Sequence, residues 1–148
     1  MGYFSRDFKS LDIAGTDKPW LFTSGCRGMV RCEIPLTEDH AGQPAVYTVR
    51  LGFSALPGDR PGRRVFDIKL QDAVVAEDFD IMEAAGKMDV AVVKEYKGVK
   101  AKEVLILELD PKTANPDMDE MPIINFVEVI RETVGTIAQS SLPNTGEM

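Results

Sequence analysis

The stretch Tyr47 to Ile81, YTVRLGFSALPGDRPGRRVFDIKLQDAVVAEDFDI, constrains the fold more than any other part of the chain. Tyr47, Val49, Leu51 and Phe53 alternate with Thr48, Arg50, Gly52 and Ser54. Beyond a break rich in proline and glycine, Phe66, Ile68 and Leu70 alternate with Val65, Asp67 and Lys69. A period of two sends successive side chains to opposite faces, so each segment reads as a strand with one face buried and the other solvated. That is the pattern of an antiparallel sheet covered on a single side.

The same pattern recurs on either side of this stretch. Trp20-Leu21-Phe22-Thr23 is short, apolar and β-prone and is followed by the turn Ser24-Gly25-Cys26-Arg27-Gly28, so it reads as strand then turn. Met29 to Leu36 alternates, with Val30, Cys32 and Ile34 facing one way. Thr37 to Pro44 is a polar connection. Asp72 to Asp89 suggests a strand end, a loop and one helical turn. Val90 to Tyr96 is a strand broken by Lys97-Gly98. Val104 to Leu109 sets Leu105, Leu107 and Leu109 on one face. Pro111 to Pro122 is an acidic loop, and Ile123 to Ile130 closes the set with Ile123, Val127 and Val129 on the face of Asn125. About eight short strands with turn-rich connections and no solenoid repeat predict an all-β fold, a jelly-roll-like antiparallel β-sandwich with at most short helical turns. Residues 1–17 read as a leading segment, 18–132 as the sandwich and 133–148 as a flexible tail.

Composition excludes several classes of function. One domain of 148 residues buries about 68–70% of its unfolded surface and needs no staples. A net charge of -7 with a pI near 4.7 lacks the basic footprint of a nucleic-acid binder and the attraction to anionic lipid. No apolar run approaches the ~20 residues of a membrane span. The start, MGYFSRDFKSLD, has too short an apolar core for a signal peptide, and Arg6 breaks the myristoylation pattern. The expectation is a chain that is cytoplasmic or whose export signal lies outside this sequence. Cys26 and Cys32 read as reduced, packed thiols rather than a disulfide. A catalytic thiol needs a base, and His40, the one histidine, sits in the polar stretch TEDHAGQP, which reads as a loop, so a Cys/His nucleophile is not expected.

The ordered set of strands resembles the malectin-like carbohydrate-binding modules. The elements that carry the likeness are Tyr47 to Phe53, Arg64 to Ile68, Glu77 to Ile81 and Pro122 to Ile130, preceded by Pro19-Trp20-Leu21-Phe22 and Ser24-Gly25. The resemblance implies a sandwich that binds sugar on loops at one end, without catalysis or cofactor. It implies an extracellular or periplasmic setting, an oligosaccharide or polysaccharide partner and a possible neighbouring catalytic domain. Carried over by position, the family's sugar-holding aromatics after the first central strand are absent, because the loop here is Leu56-Pro57-Gly58-Asp59. The other two regions fall near Trp20 to Arg27, where Trp20, Phe22 and Arg27 could serve, and near Asp119 and Glu120.

Sugar sites need a flat aromatic against C–H faces and charged groups for hydroxyls. On that chemistry the candidate carbohydrate-binding residues are Trp20, Phe22, Arg27, Tyr96, Asp119 and Glu120, with no catalytic or metal residue. Core or rim packing is the bland alternative for Trp20 and Tyr96. The loop Asp117-Met118-Asp119-Glu120 reads as solvated rather than as a calcium site, since it lacks the spacing of a helix-loop-helix site. GDRPGRR reads as a charged turn, with an anion site as the alternative. Asp78 and Asp80 read as turn caps rather than as a hydrolytic pair. Leu142-Pro143-Asn144-Thr145-Gly146 matches the L-P-x-T-G signal of sortases. Without a following apolar segment and basic tail, it reads as chance or an appended tag. A structural interaction module without sugar binding stands as the second functional hypothesis and a hydrolase as the third.

Overall fold

A computed structural model describes residues 2–6, 13–36 and 45–132. His40, the polar connection around it, the 133–148 tail and the L-P-x-T-G match lie outside the described residues. Among the described residues ten strands run in the order β1 (Gly2–Ser5), β2 (Ser24–Arg27), β3 (Arg31–Pro35), β4 (Ala45–Phe53), β5 (Val65–Leu70), β6 (Ala73–Asp80), β7 (Val92–Ala101), β8 (Val104–Pro111), β9 (Ile123–Ile124) and β10 (Phe126–Arg131). One short helix, α1 (Ile81–Ala85), follows β6. They form three sheets, β1-β2-β9, β10-β4-β7 and β3-β8-β5-β6, and every strand pair is antiparallel.

The expected all-β sandwich is the observed architecture, and alternation explains its core. Val49, Leu51 and Phe53 of β4 meet Phe66 and Ile68 of β5 and Leu105, Leu107 and Leu109 of β8, and all eight are fully buried. Phe53, Phe66 and Phe79 pack edge to face or tilted, with centroids 4.9 to 6.0 Å apart. Such pairs contribute about 0.5–1.5 kcal/mol each beyond the area they bury.

The two strands of the central stretch lie in different sheets, β4 between β10 and β7 and β5 between β8 and β6. Four local readings change. Ser24–Arg27, read as a turn, is strand β2 between β1 and β9. Pro19–Phe22 is a 3-10 turn rather than a strand, because Pro19 has no N–H for a ladder and its fixed φ suits a first helical position. Ile123 to Ile130 is not one strand; Asn125 interrupts it, and β9 and β10 join different sheets. Lys97-Gly98 does not end β7. Between the pairs Tyr47↔Val99 and Val49↔Tyr96 the β7 side holds one extra residue, a bulge that Gly98 accommodates at φ +73°. The Gly98 N–H donates to Glu132 Oε2 at 2.8 Å, and the Thr48 hydroxyl donates to the same oxygen at 2.9 Å.

Two smaller differences concern single residues. Val30, expected to face inward with Cys32 and Ile34, is 52% exposed. Gly2–Ser5, within the stretch read as a leader, forms β1 beside β2. Cys26 on β2 and Cys32 on β3 are both free thiols, and burial pushes Cys26 above its ordinary pKa, away from the thiolate a nucleophile would need.

Candidate functional site

β4, β6 and β8 all finish at one end of the sandwich, where β5, β7 and β10 begin. Two connections meet there, residues 54–64 between β4 and β5 and residues 112–122 between β8 and β9. Arg64 ties them together. Its Nη2 and Nε donate to the Asp59 carboxylate at 2.8 and 3.3 Å, and its Nη1 donates to the carbonyls of Met118 and Met121 at 2.9 and 2.5 Å. Both side chains of this ion pair are 4–5% exposed. Asp59 also accepts the Leu56 N–H at 2.9 Å, closing the turn that contains Pro57 and Gly58. A planar guanidinium suits this role because one side chain satisfies a carboxylate bidentately and still has donors for two carbonyls.

The rest of the 54–64 connection is held from below. Gly62, at φ +84°, donates its N–H to Asp80 Oδ2 at 2.6 Å. The other oxygen of Asp80 caps α1 by accepting the Glu83 N–H at 3.2 Å. Asp80 is therefore a turn and helix cap. Asp78 faces Lys112 at 3.2 Å.

Above this support lies a shallow, widely open polar depression of ≈ 440 Å³ lined by Arg60, Pro61, Gly62, Arg63 and Glu120. Arg63 reaches Asp117 at 3.0 Å and Asp119 at 3.8 Å. The acidic loop bonds to its own backbone: Asp117 accepts the Asp119 N–H at 2.8 Å, and Glu120 accepts the Asp117 N–H at 3.1 Å. Its carboxylates thus face arginine and amide N–H groups. Among the described residues no cluster of His, Cys, Asp and Glu has the arrangement of a metal site. Guanidinium donors beside a carboxylate acceptor are the complement of a vicinal pair of hydroxyls, and the lining offers them without an aromatic platform.

The six residues singled out by sequence do not converge. Asp119 and Glu120 stand together at this end. Trp20 belongs to the same end, since the neighbouring Phe22 carbonyl accepts from Ser54 Oγ at 3.4 Å, and its side chain is 53% exposed. Phe22 is 1% exposed, with its ring edge-on to Phe126 at 5.4 Å. As a stacking platform it is a correction: the 3-10 turn directs its ring into the core. Arg27 stands half-buried on β2 opposite Gly2 and Ile123. Tyr96 lies opposite Val49 on β7 and lines a separate groove of ≈ 540 Å³ with Leu70, Val75, Lys97 and Val99. Burial pushes its phenol above the ordinary value. Arg60 and Arg63 were not among the candidates, although their signal was present in GDRPGRR. A Pro-Gly turn between arginines projects both from one loop.

The architecture is an antiparallel β-sandwich with polar loops gathered at one end. The malectin domain family matches residues 4–116, and the chain belongs to that family, whose fold is of a carbohydrate-binding type. Solved structures share the fold. The extracellular domain of ANXUR1 from Arabidopsis thaliana is 16% identical with a TM-score of 0.69, the alignment covering 89% of this chain and 39% of that one. The plant FER chain in complex with the peptide RALF23 and LLG2 gives a TM-score of 0.69 at 17% identity, over 89% and 39%. A β-glucuronidase of Bacteroides uniformis gives 0.66 at 17% identity, over 82% of this chain and 13% of that one. The chain therefore spans about two fifths of the plant chains it resembles. No curated protein matches it by sequence. No helix among the described residues is long and apolar enough to cross a membrane.

Proposed function

We propose that the chain is a non-catalytic carbohydrate-binding module of a larger extracytoplasmic bacterial protein, taking an oligosaccharide or polysaccharide at its loop end. The observation that carries this reading is the depression of Arg60, Arg63 and Glu120, with Asp119 beside it and both loops fixed by the buried Arg64–Asp59 pair. Preformed donors and acceptors lower the ordering cost of binding a flexible, hydroxyl-rich ligand. Exposed Trp20 supplies the one tryptophan at that end. The match to part of a glucuronidase and to plant ectodomains supports a module attached to other domains, a catalytic one included. Titration against a panel of neutral and acidic oligosaccharides tests it. Arg60→Ala and Glu120→Gln should each weaken binding about tenfold or more, while Tyr96→Ala leaves it unchanged. Absence of binding to every glycan would refute the function, and insensitivity to the first two substitutions would refute the site.

A second reading, an interaction module without sugar binding, is favoured by an apolar cleft of ≈ 500 Å³ where Tyr3, Phe4, Met29 and Ile124 meet. Tyr3 there is 83% exposed. It predicts a mass in solution that rises with concentration and falls to the monomer value in Tyr3→Ser.

A further inference from the structure

Among the described residues the edge strands of the three sheets are β1 and β9, β10 and β7, and β3 and β6. An uncovered edge offers its N–H and C=O groups to any extended chain, and folded proteins blunt it with charge, proline, a bulge or brevity. All but one of these edges are blunted. β3 carries Arg31 and Glu33 and ends at Pro35. β6 shifts register twice against β5 and holds Glu77 and Asp78. β7 has the bulge at Gly98 and the lysines Lys94, Lys97 and Lys100. β10 presents Glu128 and Arg131, and β9 is two residues long. The exception is β1, Gly-Tyr-Phe-Ser, which has no charge, no proline and an unbroken register with β2.

The hydrogen bonds of β1 show which of its groups are free. The Arg6 N–H donates to the Thr23 carbonyl at 2.7 Å, one step beyond the pair Ser5↔Ser24. Opposed residues of an antiparallel ladder alternate between pairs that exchange hydrogen bonds and pairs that do not. Gly2 and Phe4 therefore bond inward to Arg27 and Gly25, whereas Tyr3 and Ser5 turn their N–H and C=O groups to the free edge. Side chains alternate as well. Phe4 lies over Gly25, where a Cβ would meet the ring at 2.9 Å, and Tyr3 on the opposite face is 83% exposed.

Charge selects the occupant. The apolar cleft of ≈ 500 Å³ beside β1 has no charged residue in its lining, in a chain that is 28% charged with a net charge of -7. A charged partner seated here would bury its charges without counterparts. The same patch on a second copy is equally free of charge, and an edge strand turned about a two-fold axis is antiparallel to itself, so it complements itself.

We propose that two copies of the chain join through β1, antiparallel about an axis at Phe4. Tyr3 of each copy opposes Ser5 of the other, and both pairs exchange backbone hydrogen bonds. The Phe4 residues of the two copies face each other at the axis as the unbonded pair, where side chains come closest. The sheet β1-β2-β9 then runs on into its copy without a break. A contact built on four-residue strands belongs at the small end of specific interfaces, which makes the dimer reversible rather than obligate. The inference rests on the interaction-module reading and specifies its partner and geometry.

Sedimentation velocity on the full chain from roughly 5 to 500 µM reads the association. The Ser5 N–H faces the free edge, so Ser5→Pro leaves the monomer folded and should weaken the dimer about tenfold or more. Val74→Lys, at an exposed position on the β6 edge, should leave it unchanged. In the unsubstituted chain, amide exchange at Tyr3 and Ser5 should slow about tenfold or more from the lowest to the highest concentration. A dimer undiminished by Ser5→Pro, or Tyr3 and Ser5 amides that exchange equally fast at both concentrations, overturns strand pairing and leaves a module that associates through other groups. A chain that stays monomeric over the whole range overturns both the pairing and the reading beneath it.

Discussion

Removing the Arg64 side chain tests whether one buried ion pair holds the loop end together. In Arg64→Met, the Asp59 carboxylate stays 5% exposed and retains only the Leu56 N–H, while the carbonyls of Met118 and Met121 lose their donor. Breaking a buried pair from one side costs about 3–5 kcal/mol, because an uncompensated charge remains. At roughly 2–4 °C per kcal/mol for a chain of this size, Tm should fall by roughly 6–20 °C. Urea unfolding followed by Trp20 fluorescence gives the free energy directly. Adding Asp59→Asn to Arg64→Met removes the stranded charge but keeps an acceptor for Leu56, so it should recover at least half of the loss. A cost below about 1 kcal/mol for Arg64→Met, or a double variant less stable than the single one, would refute the reasoning.

Two further outcomes follow from other parts of the sandwich. A Cβ at Gly52 would drive into the Phe126 ring, so Gly52→Ala should cost about 1–3 kcal/mol in urea unfolding, and most of that cost should vanish when Phe126→Leu clears the ring. Asp67 accepts the Asp78 N–H at 2.9 Å and faces Lys112 at 3.3 Å, and these hold its carboxyl below the ordinary value, the amide contributing most. Because the native pKa is depressed, its contribution is complete above the unfolded value of about 3.9 and is lost as pH falls through the native one. The stability gap between the parent chain and Asp67→Asn should therefore be constant from pH 5 to 7 and close below about pH 4, as read by urea midpoints across pH. A gap that widened on acidification would contradict this.

Much of the scaffold was legible in the residues. The alternation in Tyr47 to Phe53, Phe66 to Leu70 and Leu105 to Leu109 assigns faces, and each inward residue is buried as the period requires. The family likeness was legible for the same reason, since it rests on those strands in order. The candidate site was less so. Trp20, Asp119 and Glu120 follow from residue type at the positions that the family likeness implies, and the structure leaves them at one end. Phe22 and Tyr96 were picked on the same chemistry, yet one is sealed under Phe126 and the other lies in a groove between β6 and β7. Residue type states what a side chain could touch, whereas its direction depends on a backbone such as the 3-10 turn at Pro19.

The sequence by itself determined that this chain is β and which face of the strands around Tyr47 to Phe53, Phe66 to Leu70 and Leu105 to Leu109 is apolar, because those properties arise from the pleat within a few residues. The tertiary structure alone decided which strands are neighbours. The two strands of the opening stretch went to different sheets, and Ile123 to Ile130 was divided at Asn125. Backbone hydrogen bonds are alike for every residue, so partner choice is set by packing among distant segments, which no local pattern encodes. Arg64 shows the same limit. Nothing adjacent to it in the chain announces Met118 and Met121, and only the closed sandwich brings their carbonyls to its guanidinium.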